Sequence, residues 1–227
     1  MPDAQSAPLA LLIDLDGTLV DTVGDFVAAL QATGRELGLA ATDPEWVRHA
    51  IGRGGQRLVQ GWLAHHGAPP AWFDAAWVTY SAHYAALNGQ RARVFDGVRE
   101  ALPLLGMPLA CVTNKPQANA EALLRHLGLR DAFAAVVGQQ AGLRPTPHPD
   151  ALWRACEALG VPPAGVWMVG DSRNDAESAE AAGCAAVVLM TYGYNHGEPV
   201  SAVPARAHLH RLDHLPALWG GPGSGSA

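Results

Sequence analysis

The most constraining feature of this sequence is a short apolar run that ends in two closely spaced acidic residues. Leu9 to Ile13 are all apolar, and Asp14, Leu15, Asp16, Gly17 and Thr18 follow directly. An apolar run of this length bounded by turn residues is typical of a strand buried on both faces. Residues two apart on an extended chain share a face, so Asp14 and Asp16 should project together at the carboxyl end of the strand. Open α/β sheets bind their ligands at that edge.

Two carboxylates held side by side repel each other, by about 4 kcal/mol at 4 Å in a medium with an effective dielectric near 20. Such pairs usually indicate a bound cation, a shifted pKa, or both. Aspartate and glycine also favour turns, so a plain strand-to-turn junction is an equally valid interpretation of Asp14 and Asp16 taken alone.

Composition limits the function classes that remain. The 227 residues are 49% hydrophobic and 16% charged, which is typical of an ordinary globular protein with room for one large domain or a domain with an insert. The net charge of −6 argues against nucleic-acid binding. No apolar run is long enough to span a membrane, and Met1 to Ala7 lack signal-peptide features, so we expect a cytoplasmic protein. The three cysteines, widely spaced, are expected to be buried small residues.

The apolar spacing divides the chain into two kinds of segment. Apolar residues recur at helical spacing through residues 23–87, with no strand pattern between Asp21 and Arg93. After residue 94, apolar runs typical of strands alternate with helical segments, which indicates a parallel, doubly wound sheet. Strands are predicted at 109–113, 135–137, 166–169, 186–189 and, weakly, 207–209, and helices near 117–127, 150–159 and 175–182.

The predicted fold class is therefore α/β, with a Rossmann-like doubly wound parallel sheet core and an inserted all-helical cap domain. The strand before Asp14 must join the sheet, because a lone strand ahead of a helical block has no partner. The predicted domains are residues 1–20 plus 92–219 for the core, 21–91 for the cap and 220–227 for a flexible tail. The cap tryptophans are predicted to serve in packing: Trp46, Trp62, Trp72 and Trp77.

Polar groups follow the later strands at the edge where Asp14 and Asp16 are expected. Thr113, Asn114 and Lys115 follow one strand, residues 170–175 with Asp171 and Asp175 follow another, and Arg144 lies in a proline-rich segment between them. So many carboxylates require a counterion. Oxygen ligands together with a substrate phosphate suit Mg²⁺, which is the cofactor we expect.

These motifs, in this order, resemble the haloacid dehalogenase superfamily of phosphohydrolases along nearly the whole chain. The resemblance implies that Asp14 is a nucleophile that forms an aspartyl-phosphate, and that Asp16 is the general acid/base. It further implies three groups of site residues: Arg144 as a catalytic cation; Thr113, Asn114 and Lys115 in phosphate binding; and Asp14, Asp16, Asp171 and Asp175 around the metal. The chemistry fits, since phosphoryl transfer needs positioning and charge neutralisation and covalent catalysis divides it into two easier steps.

The chain departs from the pattern of that superfamily at one position. The family has a lysine before Pro-x-Pro where this sequence has Arg144. A planar guanidinium and a compact ammonium are not interchangeable. Lys115, next to the phosphate motif, is the alternative cation, and the sequence leaves the choice open.

Finer resemblance is to bacterial phosphoglycolate phosphatases, through residues 51–55, 94–98 and 191–197. It implies hydrolysis of 2-phosphoglycolate to glycolate and phosphate, with Gly52 in a substrate loop and Arg53 as a reader of the substrate carboxylate. The same glycines also suit a flexible break between cap helices, and Arg53 also suits an exposed surface. A phosphatase or mutase acting on another small sugar phosphate is the close alternative.

An interpretation from a different class is a receiver-like signalling domain, which also combines a phosphate-accepting aspartate with acidic metal ligands. The second aspartate, Asp16, and the long helical insert argue against it. The expected partner is a small phosphorylated metabolite, with no nucleic acid and no membrane. The chain is expected to be a monomer or a homodimer, and the sequence does not decide between them.

Overall fold

The strands form one large sheet and one small one. In the computed structural model, which describes residues 7–220, the predicted tail lies outside the described residues apart from Gly220. The strands in chain order are β1 Ala10–Ile13, β2 Val20–Asp21, β3 Arg93–Val94, β4 Leu109–Pro116, β5 Ala135–Gln139, β6 Val166–Gly170, β7 Ala186–Met190 and β8 Ala207–Leu209. Six of them form a sheet in the order β5-β4-β1-β6-β7-β8, with every neighbouring pair parallel. The predicted fold class is confirmed.

Strand β1 lies at the centre of this sheet, between β4 and β6. Leu11 and Ile13 pack into the core on one face, while Ala10 and Leu12 pack into the core on the other. Because successive side chains of a strand point to opposite faces, a strand covered on both sides must be apolar throughout. This is the physical origin of the unbroken apolar run in the sequence.

The helices pack on both faces of the sheet and also form the insert. They are α1 Val23–Leu37, α2 Pro44–Ala50, α3 Gly55–His65, α4 Phe73–Leu87, α5 Val98–Ala101, α6 Gln117–His126, α7 Asp150–Leu159 and α8 Arg173–Ala182. Helices α5 and α6 pack on one face of the sheet, and α7 and α8 pack on the other. Within residues 7–220, no helix is long and apolar enough to cross a membrane.

Helices α1 to α4 share a hydrophobic cluster of their own, separate from the two cores of the sheet. Tyr194, from the loop after β7, joins that cluster. The helical insert was therefore correctly predicted, although nothing tests the exact domain limits at residues 21 and 91. The small antiparallel pair β2 and β3 at its base was not predicted, because two-residue strands are too short to show a period.

The chain passes twice between sheet and helical insert, and a buried carboxylate joins the two passages. Asp25, in the first turn of α1, is fully buried. It accepts hydrogen bonds from the backbone N–H groups of Gly89 (2.6 Å) and Arg91 (2.7 Å). These bonds fix the segment that leaves the insert after α4 to the first turn of α1, where the chain enters the insert.

Candidate active site

Three carboxylates meet at the carboxyl ends of β1 and β6. Asp14 follows β1, Asp171 follows β6, and Asp175 lies in the first turn of α8. One oxygen from each lies within 4.8 Å of the others, close enough to hold a metal ion. The sheet order explains this, because β1 and β6 are neighbours and both end at the same edge.

Hydrogen bonds hold two of these carboxylates in place. Asp171 accepts from the Thr18 hydroxyl at 2.9 Å and from the backbone N–H of Tyr194. Asp175 closes a capping box at the start of α8, accepting from the hydroxyl (2.7 Å) and backbone N–H (3.0 Å) of Ser172. The hydrogen bonds that cap the start of α8 therefore also orient the Asp175 carboxylate.

Two glycines provide the space that the Asp171 side chain occupies. A Cβ atom added at Gly17 or at Gly193 would overlap the Asp171 carboxylate. Gly17 also has a φ of +100°, which side-chain-bearing residues rarely adopt. Both positions therefore require glycine for Asp171 to keep its place.

The cluster carries more negative charge than a buried site tolerates. Burial, followed by the charges of Asp175 and Asp171, raises the pKa of Asp14 well above its usual value. Burial and the charge of Asp175 raise the pKa of Asp171 in the same way. A divalent cation would offset this repulsion, and a donor set made only of oxygen suits a hard cation.

Asp16 lies outside this carboxylate group and pairs with a lysine instead. Its Oδ1 atom accepts a hydrogen bond from Lys115 Nζ at 2.7 Å, and the lysine side chain is only 1% exposed. The ammonium group also lies over the rings of Phe26 (5.0 Å) and Tyr84 (5.1 Å) from the helical insert. Asp16 was expected among the metal ligands, but its side chain contacts Lys115.

A cavity of about 270 Å³ opens between these groups and the helical insert. Sheet residues such as Asp14, Asp16 and Lys115 form its floor. The opposite wall comes from α4 and from the residues before α3. This volume lies near the lower end of the range of roughly 300–1,000 Å³ for small-molecule sites, which favours a small ligand.

Comparison with known proteins identifies the family. The family model described as haloacid dehalogenase-like hydrolase matches residues 11–189. The chain belongs to the haloacid dehalogenase-like hydrolase family.

Several individual relatives of this hydrolase carry a narrower name. The chain is 38% identical to the phosphoglycolate phosphatase of Thiobacillus denitrificans over 209 residues, or 89% of this chain and 92% of the relative. It is 40% identical to a plasmid phosphoglycolate phosphatase of Cupriavidus necator, over 92% of each chain. A crystal structure from Haemophilus somnus, described as a predicted phosphoglycolate phosphatase, superposes with a TM-score of 0.85 at 28% identity, covering 92% of this chain and 97% of the other.

Arg144 is not brought to the carboxylates of this hydrolase. Its side chain is 60% exposed, and its guanidinium group forms a two-pronged pair with Asp150, at 2.7 Å and 3.0 Å. It does not line the cavity, whereas Lys115 does. The structure therefore places Lys115, and not Arg144, beside Asp16 at the cavity.

Thr113, Asn114 and Lys115 lie in the last half of β4, and the side chain of Asn114 is already hydrogen-bonded. Thr113 and Asn114 both line the cavity. The Asn114 amide donates to the Gly52 carbonyl (2.8 Å) and to Thr146 Oγ1 (2.6 Å), and its oxygen accepts from the Thr146 N–H (2.9 Å). Its side chain therefore joins the insert to the core.

The loop before α3 reaches the cavity through its glycines and not through its arginine. Gly52 and Gly54 line the cavity, while Arg53 is exposed and does not. Asn174 also donates to the Gly52 carbonyl, at 3.4 Å. The structure therefore brings Gly52 to the site and leaves Arg53 outside it.

Sequence reasoning missed several residues of the site. Tyr194 contacts Asp171 through its backbone N–H, while its hydroxyl contacts Asp21 and accepts from the Thr22 N–H at 3.0 Å. It thus links the carboxylate cluster to the start of the insert, and only the resemblance of residues 191–197 hinted at a role. Trp77, predicted to serve in packing, lines the cavity.

Proposed function

We propose that this hydrolase is a Mg²⁺-dependent phosphatase that converts 2-phosphoglycolate to glycolate and phosphate through an aspartyl-phosphate on Asp14. The observation that carries the proposal is the joint position of Asp14, Lys115-paired Asp16 and the two further carboxylates at one end of a small cavity. The substrate is inferred from the relatives named phosphoglycolate phosphatase. We further propose a cytoplasmic location, as for a metabolic enzyme.

The reaction divides into two displacements at phosphorus. In the first, an Asp14 carboxylate oxygen bonds to phosphorus while the ester P–O bond breaks. The leaving oxygen keeps the electron pair and takes a proton from Asp16. In the second, water attacks the aspartyl-phosphate and gives a proton to Asp16, and the P–O bond to Asp14 breaks to restore the carboxylate.

Charge neutralisation is shared between Lys115 and the metal. Asp14, Asp171 and Asp175 would hold Mg²⁺, which when bound would offset the charge of the phosphoryl oxygens and of the carboxylates. Lys115 holds Asp16 in position at 2.7 Å and adds a positive charge at the cavity floor. The lysine side chain is only 1% exposed, and a charge that is shielded from water exerts a stronger field on its surroundings.

The small cavity supports a short substrate. A volume of about 270 Å³, walled by helices of the insert, suits a small phosphate monoester. A small sugar phosphate is the alternative, and the similarity of the named relatives favours 2-phosphoglycolate over it.

Steady-state kinetics on a panel of small phosphate monoesters with Mg²⁺ tests the proposal. We expect the highest kcat/KM for 2-phosphoglycolate and no turnover by Asp14→Asn. A clearly higher kcat/KM for a sugar phosphate would contradict the substrate assignment, while turnover without an acid-stable phosphoprotein would contradict the covalent route.

A further inference from the structure

Two aromatic rings of the helical insert lie against the lysine of the active site. Phe26 belongs to α1 and Tyr84 to α4, the first and last helices of the insert. Lys115 Nζ lies over both rings, 5.0 Å from the centroid of Phe26 and 5.1 Å from that of Tyr84. The two rings also stack on each other, with centroids 4.9 Å apart. A cation at the end of a core strand is therefore surrounded by side chains of the insert.

The ammonium group of Lys115 is buried with few hydrogen-bond partners. Its side chain is 1% exposed, and within residues 7–220 the hydrogen bond that Nζ donates goes to Asp16. An ammonium has three N–H donors, and removing it from water costs more than a single ion pair returns. The face of an aromatic ring attracts a cation, most strongly where water is excluded. The rings of Phe26 and Tyr84 therefore help to stabilise the buried charge.

Hydrogen bonds at the base of the insert keep the two rings together. Asp25, next to Phe26 on α1, accepts from the backbone N–H groups of Gly89 and Arg91, just after α4. The helix that carries Phe26 is thereby tied to the end of the helix that carries Tyr84. Both rings are nearly fully buried, at 7% and 3% exposure. The aromatic surface under Lys115 is therefore fixed in place in the folded chain.

Tyr84 contributes its ring and not a charge. Burial raises the pKa of Tyr84 well above its usual value, and the nearby charges of Asp16 and Asp25 raise it further, so the phenol keeps its proton. Within residues 7–220, the buried hydroxyl of Tyr84 has no hydrogen-bond partner. Phenylalanine at this position would therefore keep the contact with Lys115 and break no hydrogen bond.

We propose that Phe26 and Tyr84 are positioning residues, which hold the Lys115 ammonium against Asp16 and so act on the group that protonates the leaving oxygen. This inference rests on the proposed function, in which Asp16 is the general acid/base. The two rings need no contact with the substrate to have this effect. A leucine at either position would fill much of the same space, but it would leave the cation without a ring face and the Lys115–Asp16 pair less firmly held.

The test compares two substrates whose leaving groups differ in their need for a proton. The alkoxide oxygen of 2-phosphoglycolate needs a proton from Asp16, whereas the nitrophenolate of para-nitrophenyl phosphate leaves without one. Phe26→Leu and Tyr84→Leu should each lower kcat/KM for 2-phosphoglycolate by about ten- to thirtyfold, and far less for para-nitrophenyl phosphate. Tyr84→Phe, which keeps the ring, should restore the wild-type ratio of the two values.

A double-mutant cycle shows whether the rings act through the lysine. In a Lys115→Met background, Phe26→Leu should have little further effect on 2-phosphoglycolate, because the cation that the ring holds is gone. Phe73→Leu is the matched control, since Phe73 packs against the same hydrophobic cluster but lies outside the cavity lining. It should leave the ratio of the two substrates unchanged. Additive losses from Lys115→Met and Phe26→Leu would overturn the inference.

The remaining outcomes separate this inference from a structural role and from the function it rests on. Equal losses on both substrates, with a lowered melting temperature, would mean that the rings serve only the fold, and the inference would be overturned. If the wild type hydrolyses 2-phosphoglycolate and both leucine variants keep its substrate ratio, the inference fails and the proposed function stands. If the wild type hydrolyses neither substrate, the proposed function fails and the inference fails with it.

Discussion

Lys115 Nζ lies 2.7 Å from Asp16 Oδ1, and the lysine side chain is almost completely shielded from water. Arg144, the cation at the position that the family pattern marks, is mostly exposed and pairs with Asp150. In the folded chain, the positive charge at the cavity floor therefore comes from the end of β4 and not from the proline-rich segment.

The first prediction follows from this pair. Lys115→Met keeps the apolar stem and removes the charge, so it should lower kcat by about 10²–10³-fold, the usual effect of losing one preorganised electrostatic group. Arg144→Ala should stay within about tenfold of the wild type, or roughly 1.4 kcal/mol of barrier. Steady-state kinetics of the two variants decides the matter, and a larger loss in Arg144→Ala than in Lys115→Met would reverse our assignment.

The second prediction concerns the two aspartates after β1. Asp14→Asn should show no turnover and no phosphoprotein after an acid quench with labelled substrate, because an amide cannot form the acyl-phosphate bond. Asp16→Asn should slow turnover by about 10²–10⁴-fold, the typical contribution of a general acid/base. Labelled phosphoprotein in Asp14→Asn would place the nucleophile elsewhere.

The third prediction concerns the metal. Chelation should stop turnover, and Ca²⁺ should not restore it, because its looser and larger coordination would disturb the approach of Asp14 to phosphorus. Mg²⁺ at about a hundred times its dissociation constant should stabilise the fold by about 2.7 kcal/mol, seen as a higher melting temperature. Asp171→Asn should lose most of that shift, whereas Asp74→Asn, exposed on α4, should keep it. Full activity in chelator would refute the metal assignment.

The fourth prediction concerns pH in the metal-free protein. The pKa values of Asp14 and Asp171 are raised in the folded state above the usual 3.8. Between about pH 4 and their folded-state pKa values, the folded chain therefore binds more protons than the unfolded chain, so the free energy of unfolding falls as pH rises over that interval. In chelator, Asp14→Asn should be more stable than the wild type, by a margin that grows in urea titrations as pH rises above about 4. A margin independent of pH would contradict this coupling.

The fifth prediction concerns the junction of sheet and insert. Asp25→Ala leaves the buried N–H groups of Gly89 and Arg91 without their acceptor, which should cost about 3 kcal/mol of unfolding free energy. Asp43→Ala removes an exposed carboxylate that caps α2 and should cost only about 1 kcal/mol. Urea denaturation of both variants measures the difference, and equal costs would mean that the Asp25 bonds do not stabilise the junction.

Local patterns were sufficient for most of the fold. The predicted helix at residues 150–159 and the predicted strand at 207–209 match α7 and β8. The spacing of apolar residues depends on which side chains of a single element are buried, so it can be recognised in the sequence. The ends of parallel strands lie at the same edge of a sheet, so the residues that follow them are expected to lie close together. The sequence alone therefore predicts that Asp14 and Asp171 lie close together, as they do in the structure.

The pairing of side chains needed the tertiary structure. In the sequence, Arg144 holds the position of the superfamily's cation, and Lys115, next to the phosphate motif, is the alternative. Only the folded chain decides which one reaches Asp16, because that depends on the direction of each side chain across neighbouring strands. The same holds for Tyr84, which has the ordinary spacing of a packed helix. Its ring lies 5.1 Å from Lys115 Nζ, and only the folded chain shows this contact, because residues far apart in sequence leave no local pattern.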